Sequence, residues 1–366
     1  MPHLTSKRVQ RIFQNMDQKV DAVVLMNDIE PNLDTMFPYL TGTTSGLFES
    51  CMVVGWPDGK MDLITVALEE TSARSSVADV KVFKNKSDKS ELVKETLGGV
   101  RTIGVNGHGL TLNSLNEIKR TLPKVEVLDV YPALEQARAI KDSEEIDRLR
   151  QACRIASDVA EEIPSFVRPG MAEYEAAAEI NYRMQRKGAT SPNFDTNASF
   201  GANTAEPHHE ADSNKCKKRD MALFDFGARF RKYGSDITRS FFVGNAWKWQ
   251  REMYQVVLEA QLAAIESIRP GVNGRDVDTV ARTIIDDSPY KGLFIHSLGH
   301  SIGLSVHDGL RMGPGVDLVL QEGMVLTVEP GVYVRGKGGV RIEDDIVVTR
   351  KGCELLTTAT RELIVI

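Results

Sequence analysis

The chain has 366 residues, 42% of them hydrophobic and 26% charged, and that length exceeds one ordinary core, so two domains are expected. Lys and Arg number 45 against 51 Asp and Glu, and the net charge of −6 argues against a nucleic-acid binder and against docking on anionic lipid. Cys51, Cys153, Cys216 and Cys353 form no CxxC pair, residues 1–20 hold no apolar signal core, and no uncharged apolar run reaches about 18 residues, so a cytoplasmic protein without a membrane span is expected.

Val9, Ile12, Phe13 and Met16 recur at helical spacing and predict a first amphipathic helix. Strand-like runs follow at Ala22–Met26, Met52–Trp56, Met61–Thr65, Val80–Phe83, Thr102–Val105 and Val125–Leu128, with helical or loop stretches between some of them. Residues 1–130 therefore read as a small α/β domain without a cluster of reactive side chains, and residues 131–142, entered through Tyr131-Pro132, as a linker. Asp142 and Glu145 form a capping box opening a helix whose apolar stripe is Ile146, Leu149, Cys153, Ala156 and Ala160. A second domain is placed at 143–366.

That second domain reads as an internal duplication. Arg168-Pro169-Gly170 recurs as Arg269-Pro270-Gly271, 101 residues on, and His208 recurs as His307, 99 residues on. The acid pair Asp225/Asp236 is echoed by Glu329/Glu343, displaced by 104 and 107 residues. Two halves of helices followed by strands, related by a pseudo-twofold, would bring both acid pairs to one place.

Within Ala222–Ser240, two strand-like runs carry Asp225 and Asp236, and a hairpin would set them opposite each other. Within Met324–Val348, apolar β-branched runs flank Glu329 and Glu343, whose midpoint is Gly336 in a glycine-rich turn, and a second hairpin is expected. Like charges facing each other, or facing a core, are unfavourable unless something pairs with them. The third element is His296–His307, which holds three of the seven histidines within twelve residues and glycines at 299 and 303. Four carboxylates and one imidazole make a dinuclear cage whose charge balances two divalent cations, with manganese, cobalt, iron and zinc all suited to the donors.

The order Asp225, Asp236, His300, Glu329, Glu343, set in DFG…SDITRSF, FIHSLGHSIGLSVHD, EGMVLTVEPGVYV and GGVRIEDD, resembles the creatinase/aminopeptidase P superfamily, and within it the prolidases, or Xaa-Pro dipeptidases. The resemblance extends through AIKDSEEIDRLRQACRIA into the N-terminal domain. It implies a creatinase-like α/β N-terminal domain and an α+β pita-bread catalytic domain with a pseudo-twofold duplication. It implies a metallo-exopeptidase acting on small peptides with proline at the second position, and a homodimer. By the same resemblance Asp225 and Asp236 bind one metal, His300 and Glu329 the other, and Asp236 and Glu343 bridge them. Glu329 is the expected proton shuttle, and His208, His296 and His307 are expected to contact substrate or intermediate. Arg311, four residues after His307, resembles the arginine that prolidases place near a dipeptide's C-terminus. Phe200 departs from the pattern, standing between Ser199 and Gly201 where relatives more often run Ser into Gly.

Three alternatives share parts of this pattern. A methionine aminopeptidase would normally lack a domain like 1–130, a metal-free hydrolase would have lost ligands, and a non-enzymatic binding module would have no need to keep all five. Aminopeptidase P, which removes the first residue of longer Xaa-Pro peptides, is the rival within the superfamily.

Overall fold

The computed structural model describes residues 2–366, and they divide into two compact units, one ending at Arg138 and the other spanning Ala139–Ile366. In the first unit the helix Pro2–Gln14 buries Val9 and Ile12. The six-stranded sheet runs in the order Asp79–Phe83, Met61–Val66, Met52–Gly55, Ala22–Met26, Thr102–Val105 and Glu126–Asp129. Every residue of the central strand Ala22–Met26 is buried, as its unbroken apolar run requires. All six strands read from the sequence are present, with ends differing by a residue. Residues 131–139, read as part of a linker, form the helix Tyr131–Ala139 instead. Pro132 suits a helix's first turn, where its missing N–H costs nothing, and Asp129 Oδ1 accepts the Tyr131 N–H at 2.9 Å.

The second unit repeats one pattern twice. Helices Ser143–Phe166 and Glu173–Arg186 precede a sheet of Asn197–Phe200, Met221–Phe226 and Ile237–Phe242. Helices Lys248–Ser267 and Gly274–Asp286 precede a sheet of Val325–Val328, Asp344–Val348 and Cys353–Leu355. Each half has its own apolar core, one around Ala156, Ile180 and Phe224, the other around Val257, Ala281 and Ile346. The Asp142/Glu145 capping box forms with both bonds at 3.0 Å.

The duplication read from two Arg-Pro-Gly triplets extends to the hydrogen bonds. Both Gly170 (φ 92°) and Gly271 (φ 87°) take the left-handed conformation between the helices of a pair. Gly170 N–H donates to Cys216 O at 2.8 Å, and Gly271 N–H to Leu320 O at 2.9 Å. The bridges Ala172–Lys215 and Asn273–Val319 follow in the same relative places. Among the described residues no helix is long and apolar enough to cross a membrane.

Candidate metal centre and substrate cleft

The two acid hairpins form, with different registers at their acids. Met221–Phe226 pairs antiparallel with Ile237–Phe242, and Asp225 faces Thr238 rather than Asp236. Asp236 lies two residues before Thr238, so strand alternation puts it diagonally across on the same face. The offset arises because a smaller hairpin, Ala228–Phe230 with Tyr233–Gly234, occupies the intervening turn. Gly227 marks the crossing, where a Cβ would stand 1.8 Å from Ser235 O.

The second hairpin is in the expected register. Val325–Val328 pairs with Asp344–Val348 and Gly331–Val334 with Gly338–Arg341. Glu329 and Glu343 fall in the break between these two ladders, opposite each other, where neither is committed to the other strand's backbone. Glu329 N–H instead donates to Leu298 O at 2.8 Å, and Glu343 N–H to Thr238 O at 3.1 Å. The second bond ties one hairpin to the other, and Thr238 Oγ1 donates to Glu343 Oε2 at 2.6 Å. The acid pairs of the two halves thereby meet.

His300 enters on the short strand Gly299–His300, paired with Arg311–Met312. Gly299 is required there, because a Cβ would lie 2.0 Å from Thr327 O. His300 Nδ1 sits 3.2 Å from Ser301 O and donates to it, which leaves Nε2 as a lone pair. That nitrogen is 3.7 Å from Asp236 Oδ2 and 3.5 Å from Glu329 Oε1. Ligand atoms of Asp236, His300 and Glu343 all lie within 4.8 Å of one another.

The electrostatics of this cluster are unbalanced. Asp225 Oδ1 and Asp236 Oδ1 are buried and lack hydrogen-bond partners among the described residues. Burial, reinforced by Glu343 and Asp225, pushes Asp236 well above the carboxylate range. Burial and Glu329 do the same to Glu343, and burial pushes Glu329 up to about 8 despite the opposing Arg341. Burial, then His307, lowers His300 to about 4, so its imidazole is neutral and free to ligate. Arg341 is the cation among these acids, with Nη2 2.5 Å from Asp225 Oδ2. One guanidinium against four carboxylates leaves a deficit of positive charge that divalent cations would fill, so the donor set fits metal ions.

The cluster opens into a cavity of about 860 Å³ that also admits His208, His296, His307 and Arg311, with Phe194 and Ile295 as apolar lining. All sequence-predicted site residues thus reach one cavity. His208 and His307 are exposed to it, and the His300 and His307 rings meet edge to face with centroids 4.3 Å apart. His296 is held at both nitrogens, Nδ1 by Ser297 O and Nε2 by the Tyr333 hydroxyl, each at 2.9 Å. Burial, then Arg341, lowers His296 to about 4. Arg311 is exposed, and its side chain has no hydrogen bond or ion pair among the described residues. Phe200 ends the strand Asn197–Phe200 as a buried core side chain, and the chain reaches His208 through the short helical turn Gly201–Ala205.

Sequence reasoning missed Arg341, Tyr333 and Asp345. Arg341 binds Tyr333, Thr238 and Asp225, and Asp345 Oδ2 accepts the Asp236 N–H at 2.8 Å and the Cys153 thiol. Arg341 was findable, since it stands two residues before Glu343 in one strand-like run of the sequence, where alternation turns both to one face. Asp345 was not, because its partners lie 109 and 192 residues away.

Such a buried acid cluster, assembled between two duplicated halves of helices and strands, places the molecule among the metal-dependent peptidases of pita-bread architecture. Residues 147–350 match metallopeptidase family M24, and residues 8–140 match the Creatinase/Prolidase N-terminal domain. The chain belongs to metallopeptidase family M24. It is 33% identical over 362 residues to an Xaa-Pro dipeptidase of Pyrococcus horikoshii, covering 99% of both chains. An Xaa-Pro dipeptidase from Bacillus anthracis superposes with a TM-score of 0.90 at 33% identity, over 99% of this chain and 100% of that one. An X-Pro aminopeptidase from Thermotoga maritima superposes with 0.89 at 33% identity, over 95% and 98%.

Proposed function

We propose that the chain hydrolyses the Xaa-Pro peptide bond of dipeptides, with two divalent metal ions held by Asp225, Asp236, His300, Glu329 and Glu343. The partnerless buried oxygens, the acids' resistance to ionisation and the neutral imidazole support this donor set. Asp225 and Asp236 would hold one ion and His300 and Glu329 the other, with Asp236 and Glu343 shared between them. Manganese, cobalt, iron or zinc suits such donors. Ions bound there supply Lewis acidity toward the scissile carbonyl and lower the pKa of a bound water.

The chain's own residues do the rest. In the hydrolysis, water adds to the carbonyl, the C–N bond breaks and a proton passes to the proline nitrogen. Glu329, whose carboxylate lines the cavity with Oε1 3.5 Å from His300 Nε2, would carry that proton. His208 and His307 reach the cavity from opposite halves and would orient the substrate and meet charge developing on the carbonyl oxygen. His296, engaged at both nitrogens, serves as a fixed wall of the cleft.

The observation that carries the dipeptide reading is Arg311. Its guanidinium lacks a partner among the described residues, sits across a strand pair from His300 and opens on the same cavity, where a dipeptide's C-terminal carboxylate would lie. The test is a length series, Met-Pro, Met-Pro-Xaa and a tetrapeptide, with each metal restored in turn. The dipeptide is expected to have the highest kcat/KM. Faster cleavage of the tetrapeptide would assign the chain to aminopeptidase P-type activity.

A further inference from the structure

His208 and His307 occupy corresponding places in the two halves, and both share a local arrangement. The histidine is exposed to the cavity while the next residue is withdrawn and gripped by a buried ion. After His208 comes His209, whose side chain is 10% exposed and whose Nε2 lies 2.7 Å from Oε2 of the fully buried Glu173. After His307 comes Asp308, 1% exposed, with Oδ2 3.1 Å from Nζ of Lys141. We propose that Glu173 and Lys141 are paired positioning residues, each fixing one cleft histidine by gripping the residue that follows it; this rests on the role given above to His208 and His307.

The contacts of Glu173 all point the same way. Its carboxylate accepts the backbone N–H of Phe200 at 2.7 Å and of Asp212 at 3.2 Å, and the amides of Asn203 and Asn214, each at 3.0 Å. Those donors span residues 200–214, the segment that carries His208. Glu173, His209 and Asp212 have the composition of a metal site. Both oxygens of Glu173 are already engaged by N–H donors, which a cation would have to displace, so the cluster is a hydrogen-bonded anchor. On the other flank of His208, Pro207 O accepts Asn197 Nδ2 at 3.1 Å. A turn closed by His209 N–H to Glu206 O at 3.2 Å completes the support.

The second anchor uses other residues to the same end. Asp308 N–H donates to Ser301 O at 2.8 Å, and Asp308 Oδ1 accepts Ser305 N–H at 3.3 Å. The loop holding His307 is thereby closed on itself and tied to Lys141. Buried ion pairs return little net stability, because desolvation offsets attraction. What they supply here is orientation, and proton transfer and charge stabilisation depend on it: a displacement of 1 Å in a catalytic group costs on the order of 10²-fold.

Double-mutant cycles test this on the metal-loaded full chain. His209→Gln and Lys141→Met are each made in the wild type and in the His208→Ala and His307→Ala backgrounds, with kcat, KM and metal content measured. His209→Gln is expected to lower kcat about tenfold or more with KM and metal little changed, and to cost nothing further once His208 is alanine. In the His307→Ala background it should keep its full effect. Lys141→Met should show the reverse dependence. If Lys141→Met fails to fold because the buried Asp308 loses its counter-charge, Lys141→Met/Asp308→Asn removes both charges and is read the same way. Losses that stay multiplicative with the adjacent histidine's removal would overturn the inference. Wild-type rates in His208→Ala and His307→Ala would instead remove the premise, and the inference with it.

Discussion

Replacing Arg311 by alanine removes a cation from the cleft without touching the metal ligands. Its strand partner is His300, but that pairing is made by backbone groups, so the substitution leaves Gly299–His300 in place. A hydrogen bond between a guanidinium and a carboxylate contributes about 1.5–3 kcal/mol, which corresponds to about 10- to 150-fold in kcat/KM. Arg311 is exposed, and solvent screening moves the expected loss to the lower part of that span, about 10- to 30-fold. A tetrapeptide carries its carboxylate two residues further on and should lose less than about threefold by the same reasoning. Arg311→Lys should restore only part of the dipeptide rate, since a point charge cannot reproduce two parallel bonds. The assay is steady-state hydrolysis of Met-Pro and of a tetrapeptide beginning Met-Pro, with metal content measured on the same samples. Equal losses for the two substrates, or full recovery with lysine, would refute the placement of the carboxylate.

Asp236→Asn and Glu343→Gln should each abolish activity and reduce bound metal while leaving the fold intact, as measured by metal analysis and circular dichroism; full metal content in both would remove them from the cage. His208→Ala and His307→Ala should lower kcat roughly 10²- to 10⁴-fold at unchanged metal content, and a fall in metal would make them ligands instead. In the metal-free protein Asp236, Glu329 and Glu343 have raised folded-state pKa values, while His296 and His300, lowered to about 4, offset them below the ordinary imidazole range, so it is from about pH 6.5 to about pH 8 that the folded state holds more protons than the unfolded. Metal-free thermal stability should therefore fall as pH rises through that window, while metal uptake releases protons and tightens. A melting temperature of the chelated protein that climbs across the same window would contradict the crowding of those acids.

How far the sequence could be read depended on how local each feature is. The second hairpin was legible to the residue, because the glycine-rich turn around Gly336 fixes the register and so the pairing of Glu329 with Glu343. The first was legible only as a hairpin. Residues 228–234 carry no turn signal strong enough to reveal that they form a small hairpin of their own, and that insertion shifts Asp236 from opposite Asp225 to a diagonal position. The helix Tyr131–Ala139 was hidden because Tyr-Pro reads equally as a loop entrance and as a helix's first turn. Partners set by tertiary contact left no trace: Glu173 stands in an unremarkable acidic first turn, and only the folded chain brings five donors to it.

The duplication explains why an expensive cluster can persist. One half alone would bury one pair of like charges, with no counter-charge in the first half and the Arg341 guanidinium alone in the second, a cost that a hairpin's hydrogen bonds do not offset. Two halves facing each other double the number of acids but create what neither has alone, a set of donors dense enough to bind divalent cations. The second half then supplies what symmetry does not demand, His300 and Arg311, from the segment between its helices and its hairpin. The first half's corresponding segment carries His208, the counterpart of His307, and is held by Glu173 from the start of the helix Glu173–Arg186. On the proposed reading, symmetric acids would gather the metals while asymmetric loops would shape the substrate's side of the cleft. Changes in those loops are accordingly expected to alter which peptides are cleaved, whereas changes in the hairpin acids remove cleavage altogether.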